Sequence, residues 1–418
     1  MKTQTIRGFK DILPGDIKRW HFIEDTSKRI LELYGFSEIR PPLLEFTEVF
    51  SRGLGTTTDI VEKEMYTFED RDGSSITLRP EGTASIVRSY IENSMHLKSP
   101  ITKLYYIGPM FRHERPQKGR YRSFNQIGAE VFGSYDPQYD AEIIIMLWQL
   151  FEQTGISADL TIELSSLGDD KCRPAYKEEI TKALQEKENE LCEDCKRRLK
   201  TNPLRILDCK KETCSNVTSN LPSILDFLCN ECQTHFKRVR QLLDMMGVEY
   251  VINPKIVRGL DYYNRTVFEI TTTELGSQNA VAAGGRYDGL VKELGGQNAP
   301  AIGFALGIER MILLHEKLNL DEYNKKTDLY IAYLDDKFES FAMKTAFELR
   351  QKGIVVEVDY NDKSLKSKLK RANKLKAKFA MIIGEEEYSR GKVKIRNMES
   401  STEEEIGIDE IQKFEIGQ

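Results

Sequence analysis

The sequence has no run of roughly 20 consecutive apolar residues, the length a membrane helix requires. Its opening, MKTQTIRGFKDILPGD, carries no apolar stretch behind the first lysine of the kind a secretory leader needs, and a cytoplasmic protein is expected. It has no one-sided charge: 61 Lys and Arg against 66 Asp and Glu leave a formal −5, which excludes attachment to nucleic acid by bulk charge but not a local basic patch. It has no repeat of fixed period, and 28 Gly and 13 Pro in 418 residues show no low-complexity excess. Only five histidines occur, at 21, 96, 113, 235 and 315, and none stands at a metal-ligand or triad spacing, so no catalytic histidine is expected. Cysteine is absent from the first 171 residues and the last 186. Seven fall between 172 and 232, which argues against a disulfide scaffold and for one thiol-rich subdomain in a reducing compartment.

At roughly 150 residues per domain, a chain of 418 indicates two to four domains. A helix is predicted from Asp16 to about Tyr34, with Ile17, Trp20, Ile23, Ile30, Leu31 and Tyr34 at helical spacing and Gly35 as its stop. In FSEIRPPLLEF, the Pro41-Pro42 pair fits an extended edge or interface segment. Three strand-like runs follow, SSITLRPEG, ITKLYYIGPMFRHER and YRSFNQIGAEVFG; the last two flank PQKG and predict a long antiparallel hairpin with a basic tip. After a helix, AEIIIMLWQLFEQTG, and a strand, DLTIELSSLG, residues 168–250 become Lys/Glu-rich and Cys-bearing, reading as short helices inserted into the sheet domain. Strand signals return in VEYVINPKIVRGLDYYNRTVFEITT, AAGGRYDGL and APAIGFALGIERMILLHEKL, the last passing into a helix. Beyond the linker NLDEYNKKTD, a small mixed unit reads β-α-β-α-β-β. The expectation is an α+β protein: an antiparallel-sheet domain over 1–325, interrupted by an insertion at 168–250, then a mixed α/β domain over 326–418.

Polar residues at period two project from one face of a strand. In YRSFNQIGAEVFG that face carries Arg122, Phe124, Gln126, Gly128 and Glu130; Arg112 and Glu114 share a face of the preceding strand, and Arg258 and Tyr262 one of a later strand. Two readings follow from periodicity. One is a solvated sheet face on which Arg and Glu pair across strands. The other is a polar ligand enclosed against the sheet, since such groups are costly to bury without a partner. The mid-strand gap at Gly128, the ring of Phe124, the carboxylate and hydroxyl of RPEGT, and the guanidiniums of Arg112, Arg258 and Arg310 favour the second. An anionic, planar, hydrogen-bonding substrate such as a nucleotide accounts for them together.

These residues resemble the histidyl-tRNA synthetases of the class II aminoacyl-tRNA synthetase family, nearly end to end. EIRPPLLE, with Pro42, is similar to class II motif 1, which usually packs at a dimer interface. FRHERPQKGRYRSFNQ is similar to motif 2 and GFALGIER to motif 3, while RGLDYYNRTVFE and AAGGRYDGL resemble the two histidine-specific signatures. The resemblance implies a class II catalytic domain with a mainly helical insertion and an anticodon-binding domain. It implies ATP, with Mg²⁺, activating L-histidine for transfer to tRNA(His) by a homodimer. Arg112 would hold the α-phosphate, Glu114 would lie near the adenine, Phe124 and Arg310 would cover its two faces, and Arg120 would help hold the terminal phosphates. Glu81, Thr83 and Gln126 would receive the substrate ammonium, and Glu130, Tyr262 and Tyr263 would surround the imidazole. Arg258, set against carboxylate and α-phosphate, would replace the metal other class II enzymes use there. A buried Glu130 left unpaired by an apolar amino acid would reject it by roughly 10⁴, so no editing domain is expected. The alternative is a non-catalytic regulatory subunit of ATP phosphoribosyltransferase. Such paralogues typically lack the C-terminal domain and degrade RGLDYYN, both of which this chain retains.

Two motifs remain. Cys192-x-x-Cys195 and Cys229-x-x-Cys232, with Cys209 and Cys214 between them, stand at a spacing that can close one structural Zn²⁺ site; a metal-free insertion with scattered cysteines is equally open. KSLKSKLKRANKLKAK carries eight Lys or Arg and no acid. Leu365, Leu369, Ala372 and Leu375 are expected to form its buried stripe, and Lys368, Lys370 and Lys374 to contact RNA phosphates, if the run is more than a solvated face.

Overall fold

Strand runs that alternate in polarity, separated by turns and helical segments, build the larger of two units, Met1–Leu320 and Asp321–Gln418. The computed structural model describes residues 3–55, 58, 60–209, 211–276, 279–317, 327–361 and 364–411. The first unit is organised around an eight-stranded sheet. The predicted hairpin supplies its second and third strands: Thr102–Phe111 runs antiparallel to Ser123–Phe132, with Met110 opposite Phe124 and Leu104 opposite Glu130. Ala301–Gly307 pairs with the second hairpin strand, then Ala280–Arg286, Asn264–Thr271 and Thr161–Ser166 continue the sheet, all antiparallel.

Helices Ile17–Leu33, Pro137–Gln153, Asn230–Met245 and Ile308–Lys317 send apolar stripes into a core that includes Trp20, Ile23, Leu147, Phe151, Val239, Leu243 and Met311. The first of these ends as expected, with Gly35 in the left-handed region at φ +79°. The Pro41-Pro42 segment connects two short strands: Ser37–Glu38 lies on the sheet edge, and Leu44–Phe46 joins a separate three-stranded sheet. Leu43, Leu44, Phe46 and Phe68 are exposed there.

Between Ser166 and Val251 lie helices Arg173–Gln185, Glu193–Thr201, Glu212–Ser219 and Asn230–Met245. The first three enclose a small core of their own with Tyr176, Ile180, Leu199, Val217 and Ile224. The cysteine pairs do not share a site as expected. Cys192 caps Glu193–Thr201, whose Leu199 packs into that small core, whereas Cys229 caps Asn230–Met245, whose Phe236, Val239 and Leu243 pack on the main sheet. The two apolar stripes draw the pairs apart. Cys192 and Cys195 group with Cys209 and Cys214, while Cys229 and Cys232 group with Cys172 and Asp169.

The second unit is a five-stranded sheet in the order Val356–Val358, Leu329–Tyr333, Phe379–Ile383, Lys392–Asn397, Glu403–Gly407. The linker reading at 319–328 falls mostly outside the described residues. The predicted β-α-β-α-β-β order is present with two additions: a short helix, Glu385–Ser389, where the strand FAMIIGEEE was expected to continue, and a further strand, Glu403–Gly407, which three consecutive glutamates had hidden. It is a charged edge strand, a composition that discourages pairing with other chains, and Arg396 bonds Glu403 at 2.8 Å and Arg390 bonds Glu405 at 3.2 Å. The basic helix spans Leu365–Lys374, and its buried positions are Lys368 and Ala372. This corrects the Lys368 expectation. Its ammonium donates to Asp359 O at 3.2 Å and Asn361 O at 2.7 Å and lies 4.8 Å from the Tyr333 ring centre. Leu375, expected in the buried stripe, is exposed. Lys366, Lys370 and Lys374 face outward at four-residue intervals.

Candidate active site

Every candidate for nucleotide or amino-acid contact except Glu130 borders one cavity of about 280 Å³ on the main sheet. Strand Ser123–Phe132 supplies Phe124 and Gln126 from one face, as period two requires. The loop after strand Ser75–Leu78 brings Glu81 and Thr83, the hairpin tip Arg120, the loop before strand Asn264–Thr271 Arg258, Tyr262 and Tyr263, and helix Ile308–Lys317 Arg310.

One end concentrates positive charge. Arg112 donates from Nε to Pro80 O at 2.8 Å, and its guanidinium lies 5.2 Å from the centre of the Phe124 ring. Arg120 pairs with Glu114 and lies 3.7 Å from Glu64. Arg310 donates to the carbonyls of Gly119, at 3.3 Å, and Ala280. Burial, reinforced by the charges of Arg112 and Arg120, pushes the Arg310 guanidinium down to about 10. An arginine normally titrates above 12, so these groups repel one another in a way that an arriving polyanion would relieve.

The other end offers one acceptor and one donor with nothing opposite them. Gln126 Oε1 and Arg258 Nε are buried without a hydrogen-bond partner among the described residues. Arg258 otherwise pairs with Glu269 through Nη1 and stacks 5.1 Å from the Tyr263 ring centre. Burial alone would lower its pKa; Tyr263 and Glu269 outweigh that and hold it raised. Glu81 accepts the backbone N–H groups of Thr83 and Ala84 at 2.8 and 2.7 Å, fixing its carboxylate at the start of helix Thr83–Glu92. Burial nonetheless raises its pKa.

Glu130 lies one layer below the cavity wall, fully buried. It accepts the Thr83 hydroxyl at 2.7 Å and the Tyr287 phenol, and burial pushes its carboxyl up to about 8. The Gly128 gap is not open space: a Cβ there, or at Gly82, would overlap the Tyr106 ring. Tyr106 therefore fills that gap, and its buried hydroxyl has no partner among the described residues.

Four features were not read from the sequence: Tyr106, Tyr287, Glu309 and the network around Arg286. Glu309 accepts the Asn125 backbone N–H at 2.8 Å and its side-chain amide at 3.1 Å, tying the strand of Phe124 to the helix of Arg310; burial pushes it up to about 7. Arg286 is wholly buried and donates to Asp140 and Asp288 and to the Ser134 and Asp136 carbonyls, while His235 contacts Asp140 at 3.0 Å. RYDGL held a visible signal for Arg286, Tyr287 and Asp288. Their partners at 130, 134, 140 and 235 are remote in sequence and share no motif with them. The insertion also reaches the cavity loop: Arg205 donates to Arg258 O and the Asn202 amide to Asp261, each at 3.4 Å.

The family profile described as Histidyl-tRNA synthetase matches residues 8–311, and one described as Anticodon binding domain matches 328–415. The histidine–tRNA ligase of Syntrophotalea carbinolica is 48% identical over 413 residues, covering 99% of this chain and 98% of that protein. That of Geobacter sulfurreducens is 50% identical over 401 residues, with 96% of each covered. The solved apo histidyl-tRNA synthetase of S. aureus superposes with a TM-score of 0.84 at 36% identity, covering 100% of both chains.

Proposed function

The chain belongs to the histidyl-tRNA synthetase family and is a histidine–tRNA ligase, joining histidine to tRNA at the expense of ATP, and from that premise we propose how its residues divide the work. The regulatory-subunit alternative is not favoured, because both the catalytic and anticodon-binding profiles are matched and the ligase relatives cover nearly the full chain.

The observation that carries the assignment of roles is the pair of orphaned groups at one end of the cavity, Gln126 Oε1 and Arg258 Nε. An amino acid is a zwitterion with a donor ammonium and an acceptor carboxylate. Gln126, with Glu81 and Thr83, takes the ammonium, and Arg258 takes the carboxylate. The carboxylate then points toward Arg112, which holds the α-phosphate, while Arg120 and Arg310 hold the outer phosphates. Adenine lies between Phe124 and Arg310, near Glu114. The carboxylate oxygen forms a bond to the α-phosphorus as the bond to the β-phosphate oxygen breaks, giving histidyl-adenylate and pyrophosphate. The protein supplies alignment and positive charge where negative charge gathers. Mg²⁺ enters with the nucleotide as part of that substrate. The terminal ribose hydroxyl of tRNA(His) next attacks the adenylate carbonyl, releasing AMP.

Glu130, Tyr263 and Tyr262 set the imidazole end. Glu130 is held by two hydroxyls at a depth where no water competes, and an arriving imidazole N–H favours its charged form. The exposed Leu43, Leu44, Phe46 and Phe68 support a homodimer formed through the Pro42 segment. In the second unit, Lys370 and Lys374, with Lys366, replace the original trio as RNA phosphate contacts. No helix among the described residues is long and apolar enough to cross a membrane, which agrees with action in the cytoplasm. The test is exchange of labelled pyrophosphate into ATP: histidine alone among amino acids should support it, and exchange driven by a different amino acid would overturn the assignment of the cavity.

A further inference from the structure

All seven cysteines are accounted for by two compact groups, and none is in a disulfide. In each group the four ligand atoms lie within 4.8 Å of one another: the sulfurs of Cys192, Cys195, Cys209 and Cys214, and a carboxylate oxygen of Asp169 with the sulfurs of Cys172, Cys229 and Cys232. Around a tetrahedral zinc with Zn–S bonds of about 2.3 Å, sulfurs stand about 3.8 Å apart. Both groups are already within about 1 Å of that spacing. A polynuclear iron–sulfur cluster, with several iron atoms between its thiolates, needs a wider cage.

The two groups are built alike at their pairs. Cys192 has φ −69° and ψ 161°, and Cys229 has φ −67° and ψ 162°; each immediately precedes a helix whose first turn carries the second cysteine. In each, the backbone N–H of the first cysteine points at a sulfur from the other half of the group, Cys192 to Cys214 at 3.3 Å and Cys229 to Cys172 at 3.0 Å. Buried cysteine can be mere hydrophobic filling, but filling requires neither fourfold convergence twice over nor a carboxylate. Asp169 Oδ1 lies 3.4 Å from the Cys172 sulfur, while its Oδ2 faces Arg265 at 3.5 Å. Gly168, at φ +63°, leaves the room: a Cβ there would meet Cys172 Cβ at 2.7 Å.

We propose that the insertion holds two structural zinc ions, one bound by Cys192, Cys195, Cys209 and Cys214 and one by Asp169, Cys172, Cys229 and Cys232. Each thiol yields its proton as it ligates, and with four protein ligands neither ion keeps a position open for chemistry. The first ion braces an insertion core too small to be secure alone. The second fastens the insertion to the sheet at Arg265, on the strand whose Glu269 holds Arg258. This inference is independent of the residue roles proposed for the cavity.

Elemental analysis of the full chain, purified without added metal or chelator, should give two zinc per chain. Cys195→Ser and Cys232→Ser should each give one, and the cobalt-thiolate absorption of protein produced with cobalt should fall in both, more in Cys195→Ser, which loses a site of four sulfurs, than in Cys232→Ser, which loses one of three. Should either variant fail to fold, thiol titration of the unaltered protein decides: an organomercurial should release two zinc ions as the cysteines react. Two outcomes overturn the proposal. One is folded protein with fewer than two zinc per chain; the other is a mass deficit of two hydrogens per pair, showing disulfides.

Discussion

Two arginines, Arg286 wholly buried at the end of strand Ala280–Arg286 and Arg258 part-buried in the cavity, present the same charge in opposite circumstances. Arg286 is enclosed by two aspartates and two carbonyls. Arg258 has one carboxylate partner and a buried Nε with no acceptor among the described residues. Burying a charge is costly, and a fully compensated one serves the fold. One left short of partners next to Arg112 and Arg310 is arranged for something that arrives. Lys368 repeats the Arg286 lesson in the second unit: an inward lysine satisfied by two carbonyls is structural, whatever the charge of its neighbours in sequence.

Substitutions can break that contrast. The largest effect is expected at Asp140→Ala, which strands Arg286 and should cost about 3–5 kcal/mol of stability in a denaturant titration. Asp140 also gives a pH signature. Its pKa is lowered, with Arg286 and His235 outweighing burial. Its stabilisation is therefore present above the ordinary aspartate range and is lost as pH falls through the lowered value. Next comes Arg258→Ala, expected to reduce pyrophosphate exchange roughly 10³-fold with little change in melting temperature. A melting temperature depressed as far as that of Asp140→Ala would erase the distinction.

Glu130 sharpens the contrast at the imidazole end. Because burial raises its pKa to about 8, accepting an imidazole N–H below that pH requires loss of a proton, at about tenfold in affinity per pH unit. Calorimetric histidine affinity should rise toward pH 8, and Glu130→Gln should flatten the rise. The smallest effect is at the surface. Replacing Lys370 and Lys374 with Ala should reduce the slope of log affinity for tRNA against log salt by about one per lysine, with fluorescence anisotropy as the readout; an unchanged slope returns them to solvated surface.

Much of the cavity was legible because its residues fall in short runs, with strict period two at Phe124 and Gln126; Arg258 and Tyr262, expected on one face of a strand, lie instead in the loop before Asn264–Thr271, where the run RGLDYYN still keeps them together. The hairpin was legible for the same reason, since alternation and turn residues act locally. Depth was not. Nothing in YRSFNQIGAEVFG tells that one face opens at Phe124 and closes at Glu130, because the closing group, the Tyr106 ring, comes from the neighbouring strand. The cysteine pairs show a similar limit. Spacing suggested that Cys192 and Cys229 meet, but Leu199 and Val239, packing into different cores, decide that they part. Glu403–Gly407 was missed because an edge strand answers to cross-strand ion pairs rather than to an apolar pattern.

Charge that the fold leaves undercompensated marks the ligand site. The most direct test is a paired measurement on Arg258→Ala and Arg286→Ala, taking melting temperature and histidine-dependent pyrophosphate exchange on the same preparations. Arg258→Ala should melt close to the unaltered protein and exchange almost nothing, whereas Arg286→Ala should melt far below both. If Arg258→Ala proves the less stable of the two, or retains exchange while folded, the reading is contradicted.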